Sequence, residues 1–306
     1  MVNRNLIRIK IVQIVYSYLK GDKDLAAAEK ELLFSMDKAY ELYHYLLLLM
    51  IELTDAQKLK QENAKSKYLP TQEDLNPNTK FADNLFIASL KNNIQFSEYI
   101  ATQKLSWVNE SELIKKLLGE ILNSELYKEY IEKDENSFEG DKEFWRSALK
   151  NILLQNELLS EILEDQSLYW NDDLEIIGTF VMKTIRKFTQ DETSNELMPM
   201  YKDMSDLQFA KKLFRNTILN AEKYRNLIDE NAKNWELDRI AFMDIVIMIV
   251  ALAEINSFES IPVKVSLNEY IEIAKNYSTP KSGKFINGIL DAIVSKMKKS
   301  GELNKA

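Results

Sequence analysis

Ile245-Val246-Ile247-Met248-Ile249-Val250-Ala251-Leu252-Ala253 contains no charged or polar side chain. An apolar run of this kind leaves no face of a helix for water, so it reads as a helix buried at the centre of a bundle. The flanking sequence carries the helical period as stripes on one face. Ile7, Ile11, Ile14 and Tyr18 form the first stripe, and Leu32, Met36, Ala39, Tyr43, Leu46 and Met50 a longer one. Leu207, Ala210, Phe214, Thr217, Ala221, Tyr224 and Ile228 form a third. Two more helices are expected at about 266–277 and 282–299, the second striped by Ile286, Leu290, Ile293 and Met297. No alternating strand pattern is present, and the expected fold class is all-α.

Composition supports that expectation. Only 7 Gly and 5 Pro occur in 306 residues, which points to long helices with few tight turns. With no Cys there is no disulfide framework and no thiolate ligand or nucleophile, as suits a reducing cytosol. The start, Met1-Val2-Asn3-Arg4, lacks the apolar block of a signal peptide. The longest uncharged apolar run, 42–51, is half of the ~20 residues a membrane span needs. A soluble, cytoplasmic protein without a membrane partner is expected.

Charge divides the chain. Residues 1–20 carry Arg4, Arg8, Lys10 and Lys20 and no acid, and residues 261–306 carry eight Lys against four acids. Each end is therefore +4, which leaves −16 for 21–260 out of a total of −8. Such asymmetry focuses an anionic ligand onto the basic part of a fold. Residues 55–78 are polar and hold Pro70 and Pro77, so a loop or irregular connection is expected there. Further helices follow over about 80–190, with aromatic pairs at Phe144-Trp145 and Tyr169-Trp170, and Met198-Pro199-Met200 breaks the chain again. The expected organisation is a helical core from 1–54 and 205–300, interrupted by an acidic helical insertion over 55–204.

Little in the chain suggests bond-breaking chemistry. The single histidine, His44, lies among apolar helix neighbours and reads as a packed side chain. No His/Cys cluster has metal-ligand spacing, so neither a catalytic residue nor a metal or other cofactor is expected. Ser282-Gly283-Lys284 fails as a phosphate-binding P-loop. It lacks the first glycine, Phe285 replaces the Ser or Thr after the lysine, and a helix rather than a strand precedes it. A milder reading stands. Thr279-Pro280-Lys281-Ser282 ends one helix and opens the next with Ser282 as N-cap, and free N–H groups beside Lys281 and Lys284 would seat a phosphate. Phe285 in that first turn would then face an unstacked base. The residues also admit Phe285 as a core anchor, since helix-start aromatics are usually packed, and the lysines as solvated charges. Arg4 and Arg8, one turn apart, share a helix face and suit an arm across a phosphate backbone, or else a plain solvated helix end.

Several blocks together resemble the NusB family of transcription antitermination factors. They are Val12-Gln13-Ile14-Val15-Tyr16 after Arg8, Trp235-Glu236-Leu237-Asp238-Arg239-Ile240, Ala251-Leu252-Ala253-Glu254, Ile261-Pro262 through Ala274-Lys275, and Lys284-Phe285-Ile286-Asn287-Gly288-Ile289-Leu290-Asp291. The resemblance covers about 1–54 and 205–299, and the intervening block resembles that of extended members of the family. It implies a helical RNA-binding protein that pairs with the ribosomal protein NusE, binds single-stranded boxA-type RNA in ribosomal RNA leaders, and joins an RNA polymerase antitermination complex. It also implies RNA contacts at Arg4, Arg8, Lys281, Lys284 and Phe285 and a NusE-facing role for Glu254, and Tyr16, Lys275, Ser282 and Asn287 are expected to join the RNA-binding set. Where the family often has an arginine run at its N-terminal arm, Asn5 and Leu6 interrupt here, and Ile249 stands where an arginine is common.

Two rivals stand beside this reading, the second of them suggested by the resemblance, since NusB-like domains also occur fused to ribosomal RNA methyltransferases. One is a helical protein-interaction scaffold that works through the acidic insertion without specific RNA binding. The other, a ribosomal RNA-modifying enzyme, needs a glycine-rich α/β cofactor domain for which the chain has neither glycines nor strands.

Overall fold

The computed structural model describes residues 1–133, 136–232, 241–303 and 305. Fifteen α-helices occur among them. They are α1 (Arg4–Lys20), α2 (Leu25–Lys65), α3 (Gln72–Leu75), α4 (Leu85–Asn92) and α5 (Ile94–Gln103). Next come α6 (Ser111–Asn123), α7 (Glu125–Glu132), α8 (Phe138–Asn151), α9 (Glu157–Gln166) and α10 (Leu174–Lys187). The last five are α11 (Met204–Leu219), α12 (Ala221–Asn231), α13 (Phe242–Ser257), α14 (Val263–Tyr277) and α15 (Ser282–Ser300). The described residues form no strand, only an isolated bridge between Val2 and Tyr201. The fold is all-α.

The chain divides into two compact units. One comprises Val2–Met36 and Tyr201–Ala306, and the other Met1 and Asp37–Met200. In the first, the core unit, α13 packs against α1, α11, α12, α14 and α15. Of Ile245–Ala253, every residue but Ile245 is buried, which is the burial expected of a helix with no polar face. Ile249 lies in this apolar interior. Around it, α11 lies on α1, α12 on α15, and α14 on α15. The helix ends are locally encoded. Asn3 caps α1 by accepting from the Leu6 amide at 2.9 Å. α15 ends on Gly301 at φ +74°, and the Glu302 amide donates back to the Met297 carbonyl at 3.0 Å. The third sequence stripe is divided at Asn220 between α11 and α12, yet Ala210, Phe214, Thr217, Tyr224 and Ile228 are all buried. α14 begins three residues earlier than the spacing suggests, directly after Pro262. The segment Trp235–Ile240 lies outside the described residues.

In the inserted unit, α8 packs against α4, α7 and α10, and α6 against α7. Its interior is aromatic. The Phe81 ring lies 5.5–5.8 Å from those of Tyr127, Phe144 and Trp145. Tyr45 stacks on Trp107 at 3.9 Å, and Trp107 donates its indole N–H to the Tyr45 carbonyl at 3.1 Å. His44 is buried and stacked on Tyr99 at 3.7 Å, with Nδ1 2.9 Å from the Tyr40 carbonyl. The loop expected over 55–78 is largely helix, because α2 continues to Lys65. Residues 55–65 hold no Gly or Pro and are rich in Ala, Gln, Lys, Leu and Glu, strong helix formers that sustain the helix until the break before Pro70.

Candidate nucleic-acid interface

The two residue groups singled out from the sequence are held by the same helix, α13, through two buried carboxylates. Near its end, Glu254 receives four hydrogen bonds. Arg8 donates Nε and Nη2 to its two oxygens at 2.8 and 2.9 Å. The Ser266 hydroxyl donates to Oε1 at 2.8 Å and the Tyr270 hydroxyl to Oε2 at 2.9 Å. Arg8 also donates Nη1 to Glu269 at 3.2 Å, at the edge of the cluster. Burial opposes the charge on Arg8, but the hydrogen bond and field of Glu254 outweigh it, and the guanidinium is held more firmly protonated than in water. Burial, followed by the Glu254 charge, drives the Tyr270 phenol well above its ordinary range.

This geometry corrects two expectations. Arg8 and Glu254 are 4% and 0% exposed, so neither presents its charge on a surface. Helical spacing puts Arg8 on the same side as Arg4, but that side is the inward one at Arg8. A buried guanidinium is stable only when a carboxylate is buried with it. Arg4 is exposed, 3.7 Å from Asp206, with its guanidinium 5.1 Å from the centre of the Phe209 ring.

Near the start of α13, Asp244 accepts from the Ser278 hydroxyl at 2.5 Å and the Ser282 hydroxyl at 2.9 Å. Ser282 is buried and is the first residue of α15, not its N-cap. Its hydroxyl accepts instead from the Thr279 amide at 3.1 Å, which closes the turn from the other side. The turn between α14 and α15 is therefore pinned from beneath by a carboxylate. A Cβ on Gly283 would meet the Lys275 side chain at an ordinary van der Waals distance of 3.4 Å.

Above that anchored turn, Lys281 at the N-cap of α15 and Lys284 and Asn287 within the helix are all exposed, at three-residue intervals. Lys275 on α14 is also exposed, and its ammonium pairs with Glu272 at 2.5 Å. Phe285 is 9% exposed and lies with Ile286 and Ile289 on the inward side of α15, so it is a core anchor rather than a displayed ring. Tyr16 is half-buried, edge-on to Phe242 at 5.2 Å, and the Lys20 ammonium lies 4.5 Å from the same ring.

Asp244 and Glu254 are ten residues apart, or ~15 Å along the helix. Tyr16, Lys20 and the α14–α15 turn thus belong to one end of α13, and Arg4 and Arg8 to the other. Sequence reasoning passes over Lys20 and Asp244. Asp244 did carry a signal, as the one charged residue between Ala241 and Ala253. A lone acid in an apolar helix must be paired.

Among the described residues no cluster of His, Cys, Asp or Glu is arranged to hold a metal ion, and no helix is long and apolar enough to cross a membrane. What this end of α15 offers is an exposed row of two lysines and an amide beside an anchored turn, suited to an anionic polymer.

Comparison with known proteins gives this row a context. The profile of the NusB family matches residues 173–295. A transcription antitermination protein NusB of Salinibacter ruber is 45% identical over 108 residues, covering 35% of this chain and 68% of that protein. The one of Chloroherpeton thalassium is 40% identical over 124 residues, 40% of this chain and 59% of its own length. The one of Finegoldia magna is 35% identical over 124 residues, 40% of this chain and 85% of its own. No solved structure matches the chain. With the helical core built around α13 and relatives matched over most of their length, the chain belongs to the NusB family.

Proposed function

We propose that this protein is an RNA-binding transcription antitermination factor. In this reading it acts in the cytoplasm, pairs with the ribosomal protein NusE, binds boxA-type single-stranded RNA in ribosomal RNA leaders, and helps RNA polymerase read through terminators. The observation that carries the reading is the exposed row of Lys281, Lys284 and Asn287 on a helix start fixed by Asp244. The names of the relatives, all antitermination proteins, support it. Phosphates fall to Lys281 and Lys284, with Lys275 and Arg4 extending the contact, and Asn287 supplies hydrogen bonds to sugar or base. Tyr16 and Phe285 act from below, by holding α1 and α15 in place, and Ser282 and Arg8 do the same through Asp244 and Glu254. Glu254 bears on a protein partner only through the shape it gives α1, α13 and α14. The role is that of an adaptor without catalysis, in which 1–54 and 205–300 carry the family resemblance and 55–204 is an addition to it, although 37–54 belong by their packing to the inserted unit.

The test is a titration of fluorescent boxA RNA against a scrambled RNA, with and without NusE, across salt. Selective binding strengthened by NusE is expected. Lys281→Ala/Lys284→Ala should flatten the salt dependence by about 1.4, at roughly 0.7 per single-strand phosphate contact. Equal affinity for both RNAs with and without NusE would remove boxA recognition from this protein.

A further inference from the structure

Residues 37–200 carry 30 acids against 18 lysines and arginines, yet the end of α2 runs the other way. Between Lys58 and Tyr68 there are four lysines and one glutamate. Lys58, Lys60 and Lys65 are exposed, and none makes an ion pair with a described residue. They are distributed over ~10 Å of helix. Directly beyond them, Tyr68 is 97% and Leu69 81% exposed, so both faces of a phenol ring stand in water at the tip.

The tip is also held in shape. Thr71 and Asp74 form a capping box, with the Asp74 amide donating to the Thr71 hydroxyl at 3.0 Å and the Thr71 amide to Asp74 at 2.9 Å. Lys67 pairs with Asp74 at 2.8 Å, and the Gln61 amide donates to the Asn78 carbonyl at 2.8 Å. Lys67 therefore serves the loop, while the other three lysines and Tyr68 serve nothing within it. An exposed aromatic on an ordered turn avoids the ordering entropy that a mobile loop loses on binding.

We propose that this tip is a second RNA-contacting element, taking phosphates on Lys58, Lys60 and Lys65 and an unstacked base on Tyr68. Uncompensated positive charge on an otherwise acidic unit complements a polyanion, and a tyrosine with both faces free is a stacking platform that tolerates any base. The inference rests on the reading of the protein as an RNA binder, but it needs neither boxA selectivity nor NusE.

A twenty-nucleotide oligouridine, which contains no boxA, tests the tip separately from α15. The full-length protein is titrated at low and rising salt beside Tyr68→Ala, Tyr68→Phe and Lys58→Gln/Lys60→Gln/Lys65→Gln, with folding checked by circular dichroism. Tyr68→Ala should weaken binding roughly tenfold and Tyr68→Phe restore it, since stacking needs the ring and not the hydroxyl. The triple variant should flatten the salt slope by about 2. If the wild type does not bind oligouridine at low salt, or the variants bind as it does, the inference falls and the tip is better sought as a protein contact. The boxA titration with Lys281→Ala/Lys284→Ala reports on the proposed function independently of either result.

Discussion

Arg8 and Glu254 are 246 residues apart in sequence and share two hydrogen bonds of 2.8 and 2.9 Å in the interior of the core unit. The first helix is tied by this pair to α13, and Ser266 and Tyr270 bring α14 to the same carboxylate. A pair of this kind is a fixed point of assembly. Desolvating two charges is costly, so most of its effect is felt when one partner is lost.

Glu254→Ala should therefore destabilise the protein by about 3–5 kcal/mol, as expected for a buried charge left alone. The double variant Arg8→Met/Glu254→Leu should recover much of that loss. Urea denaturation of the wild type, Arg8→Met, Glu254→Leu and the double variant measures it as a double-mutant cycle, and additive effects of the two single replacements would show that the pair is not coupled.

Phe285 and the lysines beside it should separate cleanly. Phe285→Ala removes a buried ring and should cost about 3–5 kcal/mol. Its RNA affinity per folded molecule should be little changed. Lys281→Ala/Lys284→Ala should leave the melting temperature within a degree or two and weaken RNA binding. Thermal melts paired with RNA titrations distinguish this from direct stacking by Phe285, which would lower affinity in the folded Phe285→Ala protein.

Asp244→Ala removes the acceptor beneath the α14–α15 turn while leaving Lys281 and Lys284 in the sequence. Hydrogen exchange over 278–284 should quicken, and RNA affinity should fall although no RNA contact has been deleted. Unchanged exchange in that segment would mean that the turn holds its shape without the carboxylate.

His44 gives the inserted unit a pH signature. Burial, partly offset by the hydrogen bond to the Tyr40 carbonyl, lowers its pKa from 6.5 to about 4. As the folded value lies below the unfolded one, the contribution is fully present above pH 6.5 and is lost as pH falls towards 4, because the unfolded chain takes up the proton first. The loss is on the order of 3 kcal/mol. His44→Phe should shed this part of the acid sensitivity, leaving the rest to other groups. Denaturation midpoints of both proteins between pH 7 and 4 provide the check, and parallel curves would contradict it.

The helical fold was written in the sequence because local rules suffice for it. The unbroken apolar run from Ile245 to Ala253 admits only a buried helix, and the stripes on α1, α11 and α15 each name the face that must be covered. Where local reading faltered, at 55–65, propensity carried α2 past the point where polarity alone suggested a loop. Lys281, Lys284 and Asn287 were also legible, since three-residue spacing on a helix puts them on one side. What spacing does not reveal is which side of a helix is the outside. Arg8 and Ser282 read as surface groups from their chemistry and Phe285 admitted either side, yet each faces inward, because Glu254, Asp244 and the apolar interior lie there to receive them. Those partners are 246, 38 or more residues away, or spread over several helices. The sequence by itself determined the helices and the cationic row. Only the tertiary structure decided which charges meet water and which meet each other, because burial and pairing depend on neighbours that the chain brings together only when it folds.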